Sequence, residues 1–222
     1  LDDYFDDDQI DETKYKKDLL IDRKLIGLEQ LLWLKNSINN KFKWSIIGQQ
    51  VLISSVNLPS IFRKIDKETL PDYLHKYLKL GGLKIPYNTD AWDGYPKERE
   101  RMYRILKKAN SAVVLTGDTH NSWLNNLYDK KNNFIGVEIG TPAISSPNTI
   151  DTFGSLTKQI EEGFIKENKN VKWTDGKYKG YALLKLTKKA AKVSFIYVST
   201  VKSKTYKVID TNKFSLKHNE PI

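Results

Sequence analysis

Asp118 and His120 are the residues whose types and spacing point most directly to chemistry. They follow the apolar run 112–116 and Gly117, so a buried strand would deliver both side chains to a loop at its carboxyl end. A carboxylate oxygen and an imidazole nitrogen held two residues apart suit a hard or borderline cation. Ordinary turn hydrogen bonding also accounts for many Asp-x-His pairs, and local spacing alone leaves both interpretations open.

Three further polar positions also have both a structural and a functional interpretation. Asp93, between Trp92 and Pro96, is predicted either to favour the start of a helix or to lie with Trp92 on the rim of a pocket. Gln50 is predicted to occupy a polar turn or to set its amide beside a bound oxyanion. Glu138 lies inside an apolar run, so we expect its carboxyl group to need a partner such as a cation or an arginine.

Helices and strands must hold these residues, and the apolar pattern predicts a mixed α/β arrangement. Three- and four-residue spacing predicts helices over residues 25–38, 70–80, 95–106 and 155–169. Short apolar runs predict buried strands at residues 44–48, 51–54, 112–116 and 134–139. Alternating apolar and polar residues predict antiparallel strands that cover the edge of the main sheet, at 180–186, 191–198 and 205–209. The acidic segment 2–12 is predicted to be turn-like. Because the chain shows no internal repeat and no low-complexity linker, we expect residues 1–222 to form one compact unit.

Composition narrows the functional classes without choosing one. The net charge of +10 favours anionic partners, but the lysines are spread along the chain, so a solvated surface and a polyanion site both fit. The absence of cysteine excludes disulfides, thiolate zinc sites and cysteine nucleophiles. No run approaches the roughly 20 apolar residues of a transmembrane helix, so no transmembrane segment is expected. No targeting segment follows Leu1, and we expect the natural N-terminus to lie upstream.

Five motifs together resemble the PhoD-like branch of the calcineurin-like metallophosphoesterases. They occur in the order and approximate spacing of that family: GLEQLLWL at 27–34, WSIIGQQV at 44–51, WDGYP at 92–96, LTGDTHNSW at 115–123, and VE followed by TPA within 137–143. Residues 1–4 are also similar to the segment that precedes the first of these motifs, although the arginine of the family is absent there. The pair WDGY and GDxHxxW is the specific part of the resemblance.

The resemblance implies a metallophosphoesterase-type β-sandwich flanked by helices, of which this chain would be the C-terminal portion. It implies hydrolysis of phosphate mono- or diesters, with Ca2+ and Fe3+ as typical cofactors and a periplasmic or extracellular location. By their position in the motif, Asp118 and His120 would be metal ligands and catalytic residues, with Asn121 beside them in catalysis. The remaining candidates would contact or orient the phosphoester substrate: Gln50, Trp92, Asp93 and Trp123.

One departure from the family bears on the whole interpretation. The earlier metal-binding motifs, which supply most of the ligands, are absent from these 222 residues. The resemblance therefore implies an incomplete site that an N-terminal segment of the same protein would complete. Nucleic acid is expected only as a substrate. The alternative from another class is a non-catalytic basic domain that binds polyanions or glycans.

Overall fold

The computed structural model describes residues 4–6 and 9–222, in which six α-helices and ten strands form a mixed α/β architecture. The helices are α1 (Glu12–Leu19), α2 (Gly27–Ser37), α3 (Asp72–Leu80), α4 (Pro96–Leu106), α5 (Thr149–Phe153) and α6 (Thr157–Glu167). The strands are β1 (Phe5–Asp6), β2 (Gln9–Ile10), β3 (Ser45–Gly48), β4 (Ala112–Thr116), β5 (Ser122–Tyr128), β6 (Phe134–Gly140), β7 (Val171–Asp175), β8 (Gly180–Leu186), β9 (Ala191–Val198) and β10 (Val208–Leu216).

The main sheet has the strand order β3-β4-β6-β5-β7. Strands β3, β4 and β6 run parallel, whereas β5 and β7 pair in the antiparallel sense. Because the three parallel strands are neighbours, their carboxyl ends lie side by side at one edge of the sheet. A second, three-stranded antiparallel sheet has the order β10-β9-β8, and β1 and β2 form a two-stranded sheet.

Both faces of the central strands β4, β6 and β5 are covered, which explains their largely buried residues. On one face, Leu34 of α2 and Leu106 of α4 share a core with Val114 of β4. On the other face, Val113 of β4 packs in one cluster with Phe195 of β9, so the two sheets form a sandwich. The prediction of a sandwich flanked by helices is therefore confirmed.

The second sheet differs in one respect from the sequence-based expectation, because it covers a face of the main sheet and not its edge. Alternate residues of β9, including Val193 and Phe195, are fully buried between the sheets. Such burial of one side of a strand requires face-to-face packing. The last strand also begins and ends later than the predicted 205–209, at Val208 and Leu216.

The predicted strand at residues 51–54 is wrong, because this apolar segment is a buried irregular loop. Its backbone groups bond to side chains and, at Leu52 O, to the backbone amide of Trp92, and not to a neighbouring strand. The amide groups of Ile53 and Ser54 donate to the Glu138 carboxylate, at 2.6 and 3.2 Å, and the Tyr103 hydroxyl donates to Ile53 O at 2.8 Å. Apolar composition alone does not distinguish these two ways of satisfying a buried backbone.

The remaining differences concern the N-terminal segment and two strands that the sequence pattern missed, β5 and β7. The sequence pattern missed β5, because Asn125 and Asn126 are poor strand formers, yet both are fully buried in it. In the segment predicted to be turn-like, β1 and β2 form a short ribbon, and α1 follows. Residues 1–3 and 7–8 lie outside the described residues, so most of the family resemblance at residues 1–4 lies outside them as well. Within the described part of the chain, no helix combines the length and hydrophobicity that crossing a bilayer requires.

Candidate metal centre

The carboxyl ends of the three parallel strands converge at Gly117. Gly117 N donates to Gln50 O at 2.9 Å, and Thr141 N donates to Thr116 O at 2.9 Å. A Cβ added to Gly117 would meet Thr141 Cγ2 and Gln50 O at 3.6 and 3.7 Å, so the segments after β3 and β6 flank this glycine closely. This is the edge at which parallel α/β sheets place their ligands.

Asp118 and His120 both adopt the left-handed backbone conformation, with φ values of 68° and 63°. Two such residues separated by one position form a tight loop directly after β4. Thr119 stabilises this loop twice, because its amide donates to Gly117 O at 2.8 Å and its hydroxyl accepts from Trp123 Nε1 at 2.8 Å. Strained backbone that surrounding bonds hold in place is common at functional sites.

The His120 ring is oriented by a main-chain carbonyl. Its Nδ1 lies 2.6 Å from Pro147 O, and since a carbonyl can only accept, Nδ1 carries the hydrogen. In the neutral ring Nε2 then keeps its lone pair, which is the tautomer that a metal-binding histidine needs. Asp118 is exposed, so its carboxylate is accessible from solvent. The loop therefore presents one imidazole nitrogen and one carboxylate.

These two side chains fit a metal site as two members of a larger ligand set. Ca2+ takes six to eight oxygen ligands, and iron sites in proteins also draw on more than two groups. Among the described residues no cluster of three or more His, Asp or Glu able to hold a metal ion occurs. The chemistry of the pair is thus suitable, and further ligands would have to come from elsewhere.

Tyr87 lies close enough to Asp118 for the carboxylate to influence its ionisation. Burial raises the pKa of Tyr87 to about 12, and the negative charge of Asp118 adds to that shift. Its ring packs against Phe164 and Trp123, with centroids 5.2 and 6.1 Å away. Nothing in the sequence marked Tyr87 as a neighbour of the loop, because 31 positions separate it from Asp118.

Asn121 and Trp123 are placed beneath the loop and not on its surface. Asn121 is 4% exposed, and its amide exchanges two hydrogen bonds with Thr149: Nδ2 donates to Oγ1 at 2.8 Å and Oδ1 accepts from the backbone amide at 3.2 Å. Trp123 is fully buried, and its indole supports Thr119. In this geometry both residues support the loop from beneath, and the catalytic role of Asn121 and the substrate contact of Trp123 stay predictions.

Trp92 and Asp93 are also covered, in contrast to the predicted pocket rim. Asp93 forms an ion pair with Arg99 and accepts from Val56 N at 2.9 Å. Trp92 is 1% exposed and donates from Nε1 to Gln49 Oε1 at 3.0 Å. Gln50 itself is exposed beside Gly117. Trp92 thus bonds to the residue that precedes Gln50, and the substrate contacts of Gln50, Trp92 and Asp93 stay predictions.

Glu138 has the partners that its burial demands, but they are neither a cation nor an arginine. Two backbone amides of the 51–54 loop donate to it, and Asn125 Nδ2 donates at 2.8 Å. Burial nevertheless dominates and raises the pKa of Glu138 to about 7. Glu138 is therefore a structural group of the main sheet in this chain, separate from the Asp118 loop.

The basic surface gives limited support to the polyanion alternative. One cavity of about 630 Å³ beside α4 is lined by several cationic side chains, including Arg99, Arg101 and Arg104. Arg99 is already paired with Asp93, and Arg101 with Asp22. Pairing lowers the positive charge that this surface offers to an external anion.

Comparison with known proteins identifies the class to which this fold and loop belong. The family model for PhoD-like phosphatases matches residues 3–195. The chain therefore belongs to the PhoD-like phosphatase family, and the resemblance of its motifs is confirmed.

Two relatives show how much of a family member the chain represents. It is 32% identical over 173 residues to Alkaline phosphatase D of Bacillus subtilis (strain 168), covering 74% of this chain and 25% of that protein. It also matches the solved structure of PhoD with a TM-score of 0.65 and 26% identity, covering 88% of this chain and 34% of that one. The chain thus spans between a quarter and about a third of the length of these relatives.

Proposed function

We propose that this chain supplies one part of the metal site of an enzyme that hydrolyses phosphate mono- or diesters. Asp118 and His120 are the proposed ligands. The observation that carries the proposal is the hydrogen bond from His120 Nδ1 to Pro147 O, which leaves Nε2 as a lone-pair donor on the same tight loop as an exposed carboxylate. A histidine locked in this way is typical of metal ligands.

The metals that we propose are Ca2+ and Fe3+, as the family resemblance implies. The Asp118 carboxylate suits a hard cation such as Ca2+, and a carboxylate with an imidazole also suits iron. Cations at this loop would supply positive charge that offsets the charge of the phosphoryl oxygens and makes an attacking water more acidic. The residues of this chain contribute geometry: Thr119, Trp123 and Asn121 hold the loop, and Gln50 lies beside it for contact with the phosphoester.

The remaining ligands are proposed to come from an N-terminal segment of the same protein. Two strand edges support this, because β3 and β8 are outer strands of their sheets and residues of both line one cleft. Trp44, just before β3, donates to Thr187 O, just after β8, at 2.8 Å. Strand edges with free backbone groups readily pair with further strands.

The cleft between these two edges is lined by uncharged and partly apolar residues, as expected for a surface that a further segment would cover. It measures about 520 Å³ and is lined by uncharged residues, including Gly117, Leu115 and Leu184. Ile46 shares the inward face of the main sheet with its partner Val113, yet it is 39% exposed. An upstream segment that added strands here would cover Ile46 and bring its own side chains to the carboxyl end of β4. By the resemblance, we place the complete enzyme in the periplasm or outside the cell.

The ligand assignment is tested in the full-length protein by Asp118→Ala and His120→Ala. We expect each substitution to lower kcat/KM for a chromogenic phosphodiester by at least about a hundredfold and to lower the bound metal, because ligands act through the cation. Circular dichroism should show the fold retained, since Asp118 is exposed and His120 makes one internal bond. His75→Ala, whose ring bonds to main-chain oxygens of Lys67 and Leu70, is the control. Full activity and full metal content in both variants would exclude the assignment.

A further inference from the structure

A cavity beside the Asp118 loop is separate from the two open strand edges. It measures about 330 Å³, near the lower end of the roughly 300–1,000 Å³ typical of small-molecule sites. Thr119, Asn121 and Pro147 form one wall. Pro147 is the residue whose carbonyl orients His120, so the metal loop and this cavity share a boundary.

The other walls are largely aromatic. Tyr73 and Tyr77 of α3 border the opening, and Phe153 of α5 lies among the lining residues. Below them, Phe62 packs edge-on against Phe153, with ring centroids 5.6 Å apart. Aromatic side chains contribute large apolar contact areas and favour other rings in offset or edge-on arrangements.

No charged side chain occurs among the sixteen residues of the described chain that line this cavity. The uncharged lining of this cavity contrasts with the composition of the whole chain, in which 29% of the residues are charged and the net charge is +10. A phosphoryl group or a second phosphate of a polymer would find no cation here to offset its charge. An uncharged group would bury apolar area against the rings and meet the polar side chains of Asn88 and Thr152 at the walls.

We propose that this cavity holds the alcohol portion of the substrate, and that this portion is a small uncharged group with a ring or short apolar chain. The inference rests on the proposed function, because it takes the Asp118 loop as the place of the phosphoryl group. It assigns Tyr73 and Tyr77 as residues that determine specificity for the leaving alcohol. Polyanionic chains, whose alcohol side carries further phosphates, are correspondingly poor substrates.

Binding is measured first, independently of turnover. Saturation-transfer NMR on the full-length protein compares benzyl alcohol with glycerol, and we expect transfer to benzyl alcohol only. The double variant Tyr73→Ala/Tyr77→Ala should lose most of this signal. Tyr73 is 72% and Tyr77 38% exposed, so their truncation removes cavity wall without removing core. Tyr206→Ala, a 60% exposed tyrosine in the loop between β9 and β10, is the matched control and should keep the signal.

Kinetics then test specificity. For the full-length protein we expect kcat/KM to be higher for a phenyl phosphoester than for the glycerol phosphoester. The double tyrosine variant should reduce this ratio by about tenfold, because two aromatic contacts each contribute around a factor of a few. Tyr206→Ala should leave the ratio unchanged.

The outcomes separate the two proposals. If both esters are hydrolysed but the double variant keeps the same ratio and the same benzyl alcohol signal, the cavity assignment is wrong and the proposed function stands. If neither ester is hydrolysed, the proposed function fails, and the NMR comparison still decides whether the cavity binds an uncharged ring. Preferential hydrolysis of a polyanionic phosphodiester over the phenyl ester would also overturn the cavity assignment.

Discussion

Glu138 carries a carboxyl group into the centre of the main sheet, where three hydrogen bonds reach it and none of them comes from a cationic side chain. Burial makes its ionisation unfavourable, which is why its pKa rises from about 4.5 to about 7. The three hydrogen bonds favour the ionised form and offset only part of the effect of burial. The cost of ionising it belongs to the folded state, because the unfolded chain exposes the same group to water.

This shift predicts a pH dependence of stability. The native state binds more protons than the unfolded state between about pH 4.5 and 7, so the free energy of unfolding falls as pH rises through this window. The stability is fully present below about pH 4.5, and the loss is on the order of 3 kcal/mol by about pH 7. Urea unfolding of the chain and of Glu138→Gln across this range measures it. Glu138→Gln should lack the decline, and parallel pH profiles for the two proteins would contradict the prediction.

The Asp118 loop shows what a residue-level motif does and does not specify. Left-handed backbone costs a non-glycine residue about 1–2 kcal/mol, and Asp and His are among the residues that tolerate it best. The two residues of the motif thus suit their conformation. The bonds that hold them come from Pro147 and from the Trp123 indole, and only the tryptophan lies close enough in sequence to belong to the recognisable motif.

At the scale of elements, the turn from Trp92 to Gly94 before α4 depends on close backbone packing. A Cβ on Gly94 would lie 1.8 Å from Thr89 O, a distance that no side chain can occupy. The motif WDGY therefore requires glycine for steric reasons. Trp92 and Asp93, held by the same turn, then reach Gln49 and Arg99.

Gly94→Ala tests the steric requirement of this turn. We expect it to lower the free energy of unfolding by about 3 kcal/mol or more, because the clash is with main-chain atoms that cannot move aside. Gly48→Ala is the matched control, since no atom lies within 4 Å of its added Cβ, and it should change stability by less than about 1 kcal/mol. Urea unfolding measures both, and a Gly94→Ala variant as stable as Gly48→Ala would show that the turn can open.

At the scale of the whole molecule, the feature that an upstream segment would change is the exposure of Ile46 on the edge strand β3. Ile46 shares the inward face of the main sheet with its register partner Val113, yet it is 39% exposed whereas Val113 is 1% exposed. If an upstream segment completes the sandwich, this side chain becomes core in the full-length protein. Ile46 should therefore tolerate replacement by a charged residue in the chain of 222 residues but not in the full-length protein.

Ile46→Lys tests this in two proteins. In the chain of 222 residues we expect a change in stability within about 0.5 kcal/mol, as for other exposed positions. In the full-length protein the loss should exceed about 3 kcal/mol, because an unpaired charge would be buried. Val201→Lys, 40% exposed in the loop before β10, is the control and should be mild in both proteins. An equally mild effect of Ile46→Lys in the full-length protein would mean that the β3 edge stays open.

The sequence by itself determined the family, most helices and strands, and the two proposed ligands. These are carried by local periodicity and by a short contiguous motif, which act over a few residues. Tertiary structure decided the rest: the burial of Trp92 and Asp93, the loop at 51–54 held by Glu138, and the aromatic cavity beside Pro147. Each depends on groups far apart in the chain, and the free energy of burying or bonding them is set by neighbours that only the folded arrangement supplies.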